Sequence, residues 1–270
     1  MPDLTTKDAL LERMVAATDT LVEGLPNFAC VGKNAGGHNS VYRGKNIGAS
    51  VTEEQYAEID AGTFFDMYIG DFWRINNVTW RIAAFDYWFG MGDTACTTHH
   101  VLVVPDSNLA TAKINGTSTI PGGYVGSDFY TGDNDNTGKA TAETAINNAF
   151  GSVHILSHRE RLSNAVTDGY ESASAWYDST LELMTEQMVF GGRVFDNVIN
   201  GTNIPAIYTI DNAQLPLFRH NHSLIRNGGN YWLRNIVSAF HFSYVGQNGQ
   251  IGYYGVNNAF GIRPVFAIKA

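Results

Sequence analysis

The stretch SYVGQNGQIGYYGVNNAFGIRP, residues 243–264, carries no charged side chain before Arg263 and is built almost wholly of Tyr, Phe, Gly, Asn, Gln and Val. Asn, Gly and Gln bury little apolar area, so the stretch cannot simply be core. Its aromatics are too many for an inert solvated loop. Tyr, Ser, Gly and Asn together are what binding loops use, because a tyrosine offers a large amphipathic contact area at the cost of only two rotatable angles. The stretch reads as a binding face, and the rest of the chain has to supply the support behind it.

That support is available. A chain of 270 residues with 44% hydrophobic and 12% aromatic content suits one large domain, or one domain with a small appendage. No window approaches the roughly 18 consecutive apolar residues of a membrane span. The start, MPDLTTKDALLERM, lacks the basic-then-apolar order of a secretory signal, so synthesis in the cytoplasm without a signal peptide and no membrane insertion are expected. A formal charge of −9 with scattered Lys and Arg disfavours nucleic acid as a partner. Cys30 and Cys96 belong to no metal-binding spacing and read as two buried free thiols.

Along the chain, Thr5 to Val22 has a helix start and apolar residues at Leu10, Met14, Ala17 and Leu21, which predicts an amphipathic helix. A Gly- and Asn-rich segment follows, and then TEEQYAEIDAG, where Thr52 caps a short helix that Gly62 ends. Residues 1–62 are thus expected to form an N-terminal arm for attachment or oligomerisation, and residues 63–270 the ligand-binding domain. MYIGDFWRINNVTWRIAAFDYW predicts a hairpin turning at Asn76-Asn77, and HHVLVVPD a strand closed by Pro105. Between Asn108 and Asp196 the signals read as mostly helical and loop-like: TAETAINNAFG stopped by Gly151, and SAWYDSTLELMTEQMVFGG with Leu181, Met184 and Met188 on one face. YWLRNIVSAF, QIGYYGV and GIRPVFAIK are short strands, giving an α+β domain.

Several motifs point to chemistry and stop short of it. GDNDNTGKAT, residues 132–141, has one residue too many for a phosphate loop, Ala140 where a hydroxyl is wanted, and Asp133 and Asp135 that repel phosphate. The same loop could hold a structural calcium, but the twelfth-position Glu of an EF-hand is missing. His99-His100 and His220-x-His222 lack a third metal ligand by spacing, and no nucleophile or carboxylate pair falls into a catalytic pattern. No catalytic centre, cofactor or metal is therefore assigned.

YWLRNIVSAF, the uncharged stretch and the closing GIRPVF resemble the end of the C-type-lectin-fold proteins of bacteriophages and diversity-generating retroelements. HNSVYRGKNIG, IGDFWRINNVTWRIAAFDYW and HHVLVVPDSNL extend the likeness over most of the chain. The resemblance implies a C-type-lectin-like domain with short mixed strands, helices and long loops behind a helical arm. It makes Trp232, Leu233, Arg234, Gly261, Arg263 and Pro264 scaffold. Ligand contact is expected from exposed positions between them: Asn235, Ser238, Phe240, His241, Ser243, Tyr244, Gln247, Gln250, Tyr253, Tyr254, Asn257, Asn258 and Phe260. Side-chain chemistry agrees, since Trp232 and Phe266 are core mass and Arg234 and Arg263 can bind carbonyls or carboxylates.

The function so implied is phage or prophage host recognition without covalent chemistry. The expected partners are a bacterial surface protein or glycan and other virion proteins, at a tail or capsid surface. A homo-oligomer follows from avidity, a trimer being usual in the phage relatives. Recognition is expected to need no metal, because Asn235 to Phe260 contains no Asp or Glu. The alternatives are a virion decoration protein and an oxidase of the formylglycine-generating type in the same superfamily. Those oxidases use cysteines late in the domain, whereas the last cysteine here is Cys96.

Overall fold

The computed structural model describes residues 35–196 and 214–270. The predicted helix from Thr5 to Val22, and Cys30, lie outside the described residues.

Two runs of apolar residues organise the larger sheet. Every residue of β4 (Val101–Pro105) and of β13 (Pro264–Ile268) is buried, the pattern of strands covered on both faces. They pair antiparallel at the heart of a six-stranded sheet. Around them lie β1 (Asn46–Gly48), β2 (Phe72–Ile75), β3 (Val78–Phe85) and β8 (Leu181–Leu183), in the order β1-β2-β3-β4-β13-β8. The β2–β3 hairpin turns at Asn76 and Asn77, with φ of 52° and 63°. Positive φ at both central residues is what a two-residue hairpin loop demands and what asparagine tolerates.

Two of the helices bury apolar side chains in the core around this sheet. In α1 (Glu53–Asp60), Thr52 forms a capping box with Gln55 and buries Tyr56 and Ile59. In α2 (Gly138–Phe150), which ends at Gly151 as expected, Ala142, Ile146 and Phe150 face inward at helical spacing. Phe150 meets Trp80 at 5.3 Å and Phe266 at 5.5 Å between ring centroids, so aromatics from three distant segments form one cluster.

A second sheet holds β5 (Ala110–Ala112), β9 (Tyr231–Ser238), β10 (His241–Val245), β11 (Ile251–Gly255) and β12 (Phe260–Ile262), ordered β11-β10-β9-β12-β5. The chain passes from the second sheet to the first between Ile262 and Pro264, and Arg263 fixes that crossing. Its buried guanidinium donates to the carbonyls of Pro105 (2.8 Å), Leu224 (3.0 Å) and Ile225 (2.9 Å).

Two expectations need correction. The middle section is not mainly helical. Residues 158–179 form a long two-stranded ribbon, β6 (His158–Thr167) and β7 (Tyr170–Ser179), turning at Asp168-Gly169. Leu181, Met184 and Met188 share no helix face, because Leu181 lies in β8 opposite Phe266 and only Glu186–Phe190 (α3) is helical, started by the Thr185 side chain. Pairing with buried β13 outweighs the helical spacing, as tertiary context commonly does. Nor does residue 62 mark a break: β1 pairs with β2, and Tyr56 and Ile59 belong to the same core as Trp73 and Trp80. Both corrections leave a mixed α+β architecture rich in strands.

Candidate functional site

The scaffold residues named from the sequence are buried or nearly so, and each has a physical task. Trp232 is fully buried and its indole N–H donates to the Ala112 carbonyl at 3.0 Å, tying β9 to β5 across the sheet. Arg234 pairs with buried Glu160 at 2.5 Å, and Glu160 also meets His158 at 3.0 Å beneath the ring of Trp88. Burial opposes ionisation of Glu160, but Arg234 and His158 outweigh it and hold the carboxyl below the usual range. Gly261 must be glycine because a Cβ there would sit 1.8 Å from the Asn108 amide nitrogen. Leu233 and Pro264 are buried, the latter opposite Leu183.

Of the thirteen positions expected to contact ligand, six are exposed: Phe240 (51%), Gln247, Gln250, Tyr253 (49%), Tyr254 (48%) and Asn257. Ser238, His241, Tyr244, Asn258 and Phe260 are half-buried. Asn235 and Ser243 are buried, which corrects the expectation of contact. Their polar groups serve Glu186 instead: the Asn235 side-chain oxygen accepts from the Glu186 N–H at 2.7 Å, and the Ser243 hydroxyl donates to the Glu186 carboxylate. That carboxylate also accepts from the N–H groups of Val194 (2.5 Å), Phe195 (3.1 Å) and Asp196 (3.2 Å).

The expected single face is in fact two. Residues paired across an antiparallel ladder share a side of the sheet, and neighbours along a strand alternate. Tyr254 lies opposite Phe242, and Tyr244 opposite Gly252, so these stand on one side. There Phe260 is the hub, 4.6 Å from Trp232, 4.8 Å from Tyr244 and 5.4 Å from Tyr254. Gly252 leaves room for the Tyr244 ring, since a Cβ would come within 2.7 Å of it. Tyr253 lies on the other side opposite Ser243, with His241 at 5.5 Å and Phe195 at 5.1 Å. The two aromatic groups converge only at β11, an edge strand.

The turns at either end are pinned by their own amides and hydroxyls. Ser238 bonds His241 Nδ1 at 2.8 Å and accepts from the Phe240 N–H at 3.1 Å, so its hydroxyl shapes the β9–β10 turn that presents the Phe240 ring. The Gln247 N–H donates to Asn230 at 3.0 Å, leaving the Gln247 and Gln250 side chains free to solvent. Asn258 folds back on the Gly255 carbonyl through its backbone and side-chain nitrogens at 3.0 Å and 3.1 Å. What this arrangement can do is hold aromatic rings and amides in fixed positions for non-covalent contact.

Phe195, Glu186 and Glu171 were not foreseen as part of the site. They lie more than thirty residues upstream of β9, with no spacing that links them to it. Burial, and then the charge of Asp196, push the Glu171 carboxyl up to about 7. Of the histidines, His99 meets Asp86 at 2.7 Å, burial pushes His100 down to about 4, and His220 Nε2 meets the Asn39 carbonyl at 3.0 Å. Among the described residues no group of three potential metal-ligating side chains comes together. Nor, among them, is any helix long and apolar enough to cross a membrane. The acidic loop at residues 132–141 borders a hollow of about 300 Å3 lined by Asp128, Asp135, Lys113 and Thr137. Cys96 is half-buried, and burial raises its thiol pKa. Comparison with protein-family models, with curated proteins and with solved structures finds no match.

Proposed function

We propose that this chain is a phage or prophage host-recognition protein whose C-terminal region, with a C-type-lectin-like fold, displays an uncharged aromatic and amide surface to a protein or glycan of the bacterial surface. The observation that supports this reading most is the exposure of Phe240, Gln247, Gln250, Tyr253, Tyr254 and Asn257 on backbone that the sheet and its turns hold rigid. Exposed aromatics gathered in one region with no charged side chain among residues 235–262 mark a contact surface in a way that singly scattered ones do not. Rigid backbone lowers the ordering cost of binding, and amides adapt their hydrogen bonds to the target.

The test is cell binding by purified protein. Replacing Tyr253, Tyr254, Gln247 and Gln250 together by Ser should leave folding nearly unchanged, since exposed substitutions usually cost within about 0.5 kcal/mol each. The same variant should lose binding to intact host bacteria. Tyr244 is not included because it packs against Trp232 and Phe260. Wild-type protein that binds no bacteria while still adding to virions would favour a decoration role.

A further inference from the structure

We infer that β11 is a self-pairing edge: two copies of this chain join antiparallel along residues 251–255, with a two-fold axis at Tyr253, and continue the five-stranded sheet from one copy into the other.

The hydrogen-bond register shows which groups are free. The Gly246 N–H donates to the Gln250 carbonyl at 2.8 Å and the Val256 N–H to the Phe240 carbonyl at 3.0 Å. Alternation along an antiparallel ladder then turns the N–H and C=O of Gly252 and Tyr254 toward β10, and those of Ile251, Tyr253 and Gly255 outward. Among the described residues no strand pairs with that outer side. Edge strands are normally guarded by charge, proline or a bulge. Here Ile251 to Gly255 has none of these, and its pairing with β10 runs without a register shift.

Charge selects a second copy as the occupant. The chain carries a net −9, so most approaches of one copy to another are repulsive. Residues 235–262 contain no Asp, Glu, Lys or Arg, and the exposed edge lies within them. The side-chain pattern is self-complementary as well. A two-fold axis at Tyr253 sets Tyr254 of each copy opposite Gly252 of the other, an aromatic ring over a residue with no side chain. Tyr253 exchanges two hydrogen bonds with its symmetry mate. Each Gly255 N–H adds one to the Ile251 carbonyl opposite, while the Gly255 carbonyl keeps its bonds to Asn258. Such an isologous contact closes at a dimer, in place of the trimer expected from the sequence.

Sedimentation velocity of the full chain over a range of concentrations needs no ligand, so this inference and the host-recognition reading fail independently. A monomer–dimer equilibrium is expected, with the Tyr253 amide becoming protected from hydrogen exchange as dimer forms. Tyr253→Pro removes an outward N–H that the monomer does not use, and Tyr253→Glu sets two carboxylates against each other at the axis. Each should shift dissociation at least tenfold toward monomer with an unchanged circular dichroism spectrum, and Tyr253→Glu carries the test if the proline variant fails to fold. A wild-type chain that stays monomeric, forms trimers, or dimerises equally well as Tyr253→Glu would overturn the inference.

Discussion

Trp232→Ala separates the support of the exposed aromatic surface from the surface itself. The side chain is fully buried, and its ring lies 4.6 Å from Phe260 and 6.4 Å from Tyr244. Truncating a buried tryptophan costs about 3–5 kcal/mol in lost burial and cavity. The Ala112 carbonyl also loses its indole donor, which adds about 1–3 kcal/mol for an acceptor left buried. The total of about 4–8 kcal/mol compares with a stability of about 5–15 kcal/mol for a typical domain, so the variant should be close to unfolding at growth temperature. Trp232→Phe keeps most of the ring mass and loses only the donor, at about 1–3 kcal/mol. At roughly 2–4 °C per kcal/mol for a chain of this size class, Trp232→Ala should lower Tm by about 10 °C or more and Trp232→Phe by clearly less. Calorimetry on both variants provides the measurement. An alanine variant melting within roughly 3 °C of wild type would refute the assignment of Trp232 as the post under Phe260 and Tyr244. Equal losses in the two variants would place the whole cost in the hydrogen bond.

Gly261→Ala forces Asn108 from its position against Gly261, breaking its bonds to Asn227 and Asn230; overpacking of this kind costs about 1–3 kcal/mol, and urea denaturation with an unchanged midpoint would contradict it. Arg263→Met should destabilise strongly, by about 3 kcal/mol or more, because the carbonyls of Pro105 and Leu224 lose the guanidinium donor and that of Ile225 keeps only the Tyr231 hydroxyl, and a melting temperature equal to wild type would show those carbonyls to be satisfied otherwise. Glu171 has a folded-state pKa raised from 4.5 to about 7, so the folded chain holds its proton more tightly than the unfolded chain does. Its contribution to stability is full below the unfolded value and is lost as pH rises through the folded one. Glu171→Gln should therefore flatten the fall of Tm across that window, and identical pH profiles for variant and wild type would rule the linkage out.

Local signals were legible wherever a backbone requirement and a residue type coincide. Asn76-Asn77 supplied a turn that needs positive φ, Thr52 a helix cap, Gly151 a helix stop, and HHVLVVPD a strand closed by Pro105. Trp232 and Arg263 were expected as scaffold from what the resemblance of the C-terminal motifs implies, and the chemistry of a large ring and a guanidinium agreed with it. The middle of the chain was misread for the opposite reason. In SAWYDSTLELMTEQMVF helical spacing and strand alternation coexist, and the choice fell to partners far away, Phe266 beside Leu181 and the facing strand of the ribbon. The composition of residues 243–262 announced a surface for contact, but period-two alternation divides such a surface between two sides of a sheet, and only the register says which residue faces which way. Asn235 and Ser243 went inward because Glu186, about fifty residues earlier, needed hydrogen-bond partners there. Sequence determines what each segment prefers; which preferences survive is decided by contacts between segments that the sequence holds far apart.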